Sequence, residues 1–333
     1  MSRAHVVLIT GGAGYVGSAV AHWIQQAGFL PCVVDDLSSG NADAVHPMPF
    51  YPIDLTEGGA LSALDSLPYE VDAVVHCAAK TIVSESVRDP FFYWNQNIRM
   101  ALTTASFVQR RKIPILLNSS TCAVYDSRTR LALTEDAPLL PVSPYAETKL
   151  ACEKIFSALA AVLEGKTRIL NFRYFNPAGA LASMGIGERH SPETHLIPSL
   201  ALASLQEKPF TVFGTDYSTR DGTCEKDIFH IEDLCEAHVL ALRYLMHRSH
   251  APFDTLNLGF GRAVSVASVV KVAQNLWGES LKLAFGPRRP GDIPYACADI
   301  TKAKHLLGFR PQHDLKRILT DDYTFRRRLH LQV

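Results

Sequence analysis

The stretch HVVLITGGAGYVGSAVAHWIQQAGFLPCVVDD (5–36) decides the fold. HVVLIT is a β-branched run without polar alternation, the pattern of a strand buried on both faces. Glycines follow at 11, 12, 14 and 17, and YVGSAVAHWIQQAG then carries apolar residues at helical spacing, with Gly28 as a stop signal. PCVVDD (31–36) reads as a second buried strand. Strand, glycine turn, helix and strand in about 30 residues make one βαβ unit. The glycines fit two registers: Gly12, Gly14 and Gly17 spell G-x-G-x-x-G, and Gly11, Gly14 and Gly17 spell G-x-x-G-x-x-G. In either, the backbone can turn sharply and approach a pyrophosphate, whose charge sits on the helix N-terminus. Asp35 ends the second strand. A carboxylate there accepts hydrogen bonds from a ribose 2′-hydroxyl and repels a 2′-phosphate. No Arg or Lys follows it closely, so the spacing favours NAD over NADP.

Further along, DAVVHCAA (72–79), IPILLNSS (113–120) and TRILNFRYF (167–175) repeat the buried-strand character. A helical segment at about 93–111, and another opened by SPYAETK (143–149), alternate with them. Strands alternating with helices predict an α/β fold with a doubly wound parallel Rossmann sheet. After Asn176, Gly and Pro become frequent, as in NPAGALASMGIG and GPRRPGD, and the elements shorten. The expected organisation is a Rossmann domain over 1–176 and a smaller α/β substrate-binding lobe over 177–333, with an interleaved boundary.

Composition narrows the function classes. Lys plus Arg and Asp plus Glu each number 33, which argues against a nucleic-acid binder recruited by bulk charge. No apolar run reaches the ~18 residues that span a bilayer. The N-terminus goes straight into a strand pattern without a signal peptide. The seven cysteines are scattered and form no CxxC pair, so they suggest neither a disulfide framework nor a zinc site. A reducing cytoplasm and no metal are the expectation.

Tyr145 and Lys149 stand four apart at the start of a helix, on one face. A phenol beside an ammonium is a candidate general base. After a dinucleotide-binding unit, Tyr-x-x-x-Lys resembles the short-chain dehydrogenase/reductase superfamily. That resemblance implies that Lys149 lowers the Tyr145 pKa and holds the nicotinamide ribose. Its third member is a hydroxyl just past a strand, and NSSTCAVYD (118–126) supplies Thr121. TGGAGYVGS, VDDLSSGN, the ESV of IVSESVRDP, SSTCAVY, SPYAETKL, RYFNPAGA, DIFHIEDL, LNLG and GPRRPGD follow in order. Together they resemble an extended short-chain protein of the UDP-glucose 4-epimerase family, over roughly residues 5–325.

The resemblance implies a transient oxidation at sugar C4 by bound NAD. Tyr145 would remove the 4-hydroxyl proton, Thr121 would bind O4, and return from the other face would invert the centre. For the cofactor it implies Gly11, Gly14 and Gly17, backbone N–H groups of Tyr15 and Val16, and Asp35. It adds Asp54 and Leu55 beside the adenine, then Ala78, Ala79, Asn97, Ser119 and Tyr174. For a UDP-sugar it implies Thr121, Asn176 and Lys226 near the sugar and diphosphate, Phe213 near the uracil, Arg289 on a phosphate and Asp292 on the ribose. A homodimer paired through the helices near 93–111 and 145–163 is also implied.

Departures from the family pattern are visible. Lys226 stands where the family commonly has Arg and loses the bidentate fork. Lys80 replaces an apolar residue, Thr81 falls where Lys is frequent, Asp126 replaces Gly, and Met100 replaces the Gly of Asn-x-x-Gly-Thr. Ala296 replaces a bulky Tyr that restricts the pocket near C2, which predicts room for UDP-GlcNAc and UDP-GalNAc. A 4,6-dehydratase would need an Asp-Glu pair where Cys122 and Ala123 stand. A 4-epimerase of UDP-glucuronate or a UDP-pentose, and a non-catalytic NAD- and UDP-sugar-binding protein, remain as alternatives.

Overall fold

The computed structural model describes residues 3–126, 128, 131–190, 193–247, 251–278, 281–289 and 292–331. Seven parallel strands form the central sheet: β1 (Val6–Thr10), β2 (Leu30–Asp35), β3 (Phe50–Pro52), β4 (Val71–His76), β5 (Ile115–Thr121), β6 (Arg168–Tyr174) and the strand Phe253–Leu258. Across the sheet they run Phe253–Leu258, β6, β5, β4, β1, β2, β3. The order reverses between β1 and β4, and in open α/β sheets ligands bind beyond the strand C-termini at that reversal. Every residue of β1 is buried, as its unbroken apolar run requires.

Helices cover both faces. On one, α1 (Tyr15–Gln26) packs against the helix Ile231–His247, over a core that includes Val7, Ile9, Val33, Val75 and Leu117. On the other lie α2 (Ala60–Asp65), α4 (Pro90–Arg111) and α5 (Pro144–Val162), over Leu8, Cys32, Val74, Leu116 and Phe156. A short α3 (Val83–Arg88) precedes α4. Pro90 fills the first turn of α4, where its missing N–H costs nothing, and Asp89 caps it by accepting from Phe92 N at 3.1 Å. Pro144 and Ser143 do the same for α5, with Ser143 Oγ accepting from Ala146 N. The second of these starts sets the direction in which Tyr145 leaves the helix.

A third apolar cluster, with Ile197, Leu200, Val212, Ile228, Val269 and Leu319, lies among the C-terminal elements. There the strand Glu225–His230 pairs with Asn176–Ala178, Ala263–Ser265 and Tyr295–Ala296. The last strand of the central sheet also comes from the C-terminal half of the chain. No helix among the described residues is long and apolar enough to cross a membrane.

Candidate active site

The glycine turn uses both registers at once. Gly11 has φ +66°, and a Cβ there would lie 2.5 Å from Ala78 N, just beyond β4. A Cβ on Gly12 would meet Val33 Cγ1 at 2.7 Å, and one on Gly17 would meet the Gly11 carbonyl oxygen at 2.2 Å. Gly14 is different: its Cβ would make only an ordinary 3.4 Å contact. It caps α1 with no side-chain hydrogen bond, so the first-turn N–H groups are left for an anion. The cradle therefore fits a pyrophosphate. Tyr15 contributes through its backbone position, because its hydroxyl donates to Gly179 O at 2.7 Å. Val16 follows in the same turn.

Asp35 closes the turn. Its two oxygens accept from Ala13 N at 2.9 Å and Leu37 N at 2.8 Å, and burial raises its pKa. Each oxygen keeps a further lone pair for a hydroxyl donor. One expectation is corrected here. No cation follows Asp35 in sequence, yet Lys80 Nζ donates to Ser38 Oγ at 2.7 Å. β2 and β4 both flank β1, so their following loops adjoin, which sequence distance conceals.

The other sequence-selected residues divide by what they touch. Asp54 closes its own turn onto Thr56 N and Oγ1, and the Leu55 side chain belongs to the core. Asn97 is buried and spends its amide on Lys80 N, Lys80 O and Thr148 Oγ1, fixing the Ala78–Ala79–Lys80 loop against α4 and α5. Ser119 Oγ pairs with Tyr174 OH at 2.9 Å, and Tyr174 OH pairs with His238 Nε2 at 2.9 Å. Burial drives the Tyr174 phenol well above its ordinary range and His238 down to about 4.

Thr121 ends β5, and Tyr145 stands in the first turn of α5, which packs against the turn that follows Thr121. Burial raises the Tyr145 pKa above its ordinary value, and Thr121 opposes that rise. The predicted lowering of the phenol by Lys149 is not what these side chains display. Lys149 Nζ is buried and donates to Ser119 O at 2.6 Å. Helical spacing put both residues on one face, but the long lysine stem reaches down to β5. Burial also lowers the Lys149 pKa.

A second group gathers around the strand Glu225–His230. Lys226 Nζ lies 3.8 Å from Asp292 Oδ1, and Arg289 Nε donates to Asp292 Oδ2 at 3.1 Å. The Arg289 guanidinium also sits 4.9 Å from the Phe213 ring centroid. Ala296 is the parallel register partner of Lys226, and Asn176 Nδ2 donates to Asp227 O at 2.9 Å. Tyr174, the register partner of Thr121, is followed two residues on by Asn176, which pairs with Ile228 of the strand Glu225–His230, so the two groups adjoin. The Pro290–Gly291 part of GPRRPGD lies outside the described residues.

Sequence reasoning missed the support behind Tyr145. Glu153 and Arg173 form a buried bidentate pair, at 3.0 Å (Oε1 to Nε) and 2.8 Å (Oε2 to Nη2). Ser120 Oγ also donates to Glu153, and Arg173 reaches Tyr125 OH and Glu135 O. Glu153 lies one helical step beyond Lys149 on α5, which was the available signal.

A doubly wound sheet, a glycine cradle at its reversal point and a hydroxyl–Tyr–Lys set beside it define a dinucleotide-binding protein of the short-chain dehydrogenase/reductase type. A sequence model described as the NAD dependent epimerase/dehydratase family matches residues 7–259. The UDP-glucose 4-epimerase of Lactobacillus helveticus is 38% identical over 310 residues, covering 92% of each chain. That of Azospirillum brasilense is 39% identical over 313 residues, covering 92% of this chain and 88% of its own. The crystal structure of the Stenotrophomonas maltophila UDP-glucose 4-epimerase, with bound NAD and formylated UDP-arabinopyranose, has a TM-score of 0.93. It is 33% identical and covers 99% of this chain and 100% of its own. The chain belongs to the NAD dependent epimerase/dehydratase family, in its UDP-glucose 4-epimerase branch.

The cradle gives one direct test. Gly17→Ala forces a methyl group to 2.2 Å from Gly11 O and 2.7 Å from the Gly12 Cα. Backbone atoms cannot step aside as a side chain can, so the turn must open. The expected result is a folded protein whose NAD content after purification falls at least about tenfold, a loss of ~1.4 kcal/mol or more. Absorbance of nucleotide released on denaturation measures it, and unchanged NAD content would contradict the assignment.

Proposed function

We propose that the protein is a UDP-sugar 4-epimerase that interconverts UDP-glucose and UDP-galactose. The observation that carries this reading is the convergence of the glycine cradle, Thr121 at the end of β5 and Tyr145 in the first turn of α5 at the C-terminal side of the parallel sheet. In this reading Gly11, Gly14 and Gly17, the N–H groups of Tyr15 and Val16, and Asp35 hold NAD. Asp54, Leu55, Ala78 and Ala79 border its adenine and ribose end; Asn97 acts by fixing the loop it touches. When bound, NAD supplies reversible two-electron oxidation at C4 of the sugar.

Tyr145 takes the proton of the 4-hydroxyl and returns it to O4 when the carbon is reduced again from its other face. Thr121 hydrogen-bonds both the phenol and O4 and keeps the proton path short. The buried phenol needs its anion stabilised, and Lys149 is the cation that the same helix face offers. Ser119 and Tyr174 hold the Lys149 end of the site in place. Phe213 stacks on the uracil, Arg289 pairs with a phosphate, Asp292 binds the ribose, and Asn176 and Lys226 hold the diphosphate. Lys80, at the Ser38 turn, restores near the cofactor ribose the charge that Thr81 lacks.

Purified protein with no added NAD, incubated with UDP-galactose and followed by NMR of the C4 proton, tests the activity. Formation of UDP-glucose is expected. No conversion, even with NAD supplied, would move the reading to a UDP-glucuronate or UDP-pentose 4-epimerase or to a binding protein.

The small Ala296 extends the reading to UDP-GlcNAc and UDP-GalNAc. Ala296 is buried and is the register partner of Lys226, so in this reading a larger side chain there takes space from the sugar. Ala296→Tyr is expected to reduce kcat/KM for UDP-GalNAc by about 10- to 200-fold and to leave UDP-galactose within severalfold. Equal effects on both substrates would remove the pocket argument.

A homodimer belongs to the same proposal. Trp94 and Leu102 on α4 and Val162 on α5 are exposed, on the two helices the resemblance assigns to pairing. Sedimentation should give twice the chain mass. The seven cysteines are all free, which fits a cytoplasmic setting.

A further inference from the structure

Four metal-ligating side chains outside the catalytic group converge on one point. They come from ERHSPETH (188–195), which contains Glu-x-His twice: Glu188 with His190, and Glu193 with His195. One donor atom from each lies within 4.8 Å of the others. His190 Nδ1 is 2.7 Å from Glu188 Oε1, and His195 Nδ1 meets the same oxygen. Glu188 is almost wholly buried, with 3% of its side chain exposed. His190 Nδ1 is buried and has no aligned hydrogen bond despite that short distance. His195 Nδ1 is hydrogen-bonded to that oxygen and His190 Nδ1 is not, so one imidazole nitrogen is left for a cation.

The surrounding charge points the same way. Arg326 Nη2 donates to Glu193 Oε2 at 3.0 Å and to Glu188 O at 3.1 Å, and Arg326 Nε donates to Asp322 Oδ2 at 3.0 Å. With their carboxylates ionised, Glu188, Glu193 and Asp322 outnumber this single guanidinium by two charges. Asp322 is fully buried, and its Oδ1 has no partner. A dication would balance the cluster with both imidazoles neutral.

We propose that Glu188, His190 and His195, completed by Glu193, form a divalent-cation site of the zinc class. Mixed imidazole and carboxylate donors suit zinc, whereas calcium and magnesium prefer oxygen alone. Tetrahedral zinc with ligands at about 2.0–2.2 Å sets donor atoms roughly 3.4 Å apart, so side-chain rotation must open the 2.7 Å Glu188–His190 pair and draw in the wider ones, which reach up to 4.8 Å. The cysteine spacing gave no hint of it, because none of the ligands is a cysteine. The site borders a cavity lined by Gly14, Tyr15, Asn41, Gly187, Arg189 and His190. Through Arg326 it is joined to the helix Leu315–Leu331. Its role is to clamp this part of the chain beside the nucleotide turn, apart from the chemistry at C4.

The test uses full-length protein stripped with chelator, desalted and titrated with zinc chloride at pH 8. Elemental analysis after desalting should give one zinc per chain, and calorimetry should give one saturable site. The melting temperature should rise by several degrees. The double variant His190→Ala, His195→Ala should bind zinc at least tenfold more weakly and show no such rise. Cobalt(II) added to the wild-type protein should give the visible bands of a tetrahedral nitrogen and oxygen site, a readout that does not depend on the variant folding. Absence of stoichiometric zinc in the wild type would overturn the proposal. So would equal binding by the double variant, which would mark an adventitious ion, or a cobalt spectrum dominated by thiolate charge transfer.

Discussion

Tyr145→Phe lowers kcat by about 10²- to 10⁴-fold, the usual contribution of a positioned acid–base group, and leaves the melting temperature close to that of the parent. The substitution removes one oxygen and keeps the ring that fills the space at the start of α5. Thr121 still accepts from Ala123 N at 3.2 Å, so no buried donor is stranded. UDP binding should stay within severalfold, because the groups around Lys226 are untouched. Loss of kcat with retained fold and ligand affinity distinguishes proton transfer from a structural role. Steady-state kinetics beside calorimetric UDP binding measure both, and a variant with parental kcat would sink the mechanism.

Glu153→Ala is expected to destabilise the fold by about 3–5 kcal/mol, because it strands the buried Arg173 guanidinium. The pair is only 6% exposed on either side chain. Arg173 would keep its bonds to Tyr125 OH and Glu135 O, neither of which carries a compensating charge. Ser120 Oγ would lose its acceptor as well. Since Ser120 directly precedes Thr121, the catalytic hydroxyl should also lose definition. Urea unfolding would register the stability change. A loss below about 1 kcal/mol would mean that the pair is no more than a surface ion pair in effect.

The central fold was legible because its strands are buried on both faces and betray themselves by composition. HVVLIT and PCVVDD need no partner to be recognised, and the Ser143–Pro144 start of α5 is a local signal. The strand Phe253–Leu258 was harder, since APFDTLNLG carries three polar residues, Asp254, Thr255 and Asn257, within a short run. Its place beside β6 depends on pairing across nearly 80 residues of chain. The same limit separates the residues of the site. Gly11 to Gly17, Thr121 and Tyr145 announce themselves by local pattern. Lys80 beside Ser38 and Arg173 beside Glu153 exist only once the strand order is known. The Lys149 contact with Ser119 O was not legible for a related reason: spacing fixes the helix face from which a side chain departs, and not where a flexible four-carbon stem ends.

The most direct test of the account follows one atom. UDP-galactose deuterated at C4 is converted by the enzyme in ordinary water without added NAD, and the UDP-glucose formed is examined by NMR and mass spectrometry. Oxidation and reduction within one closed site predict that the deuterium remains at C4 of the product. Loss of the deuterium to water would mean that C4 is inverted by exchange with solvent, and would contradict the account.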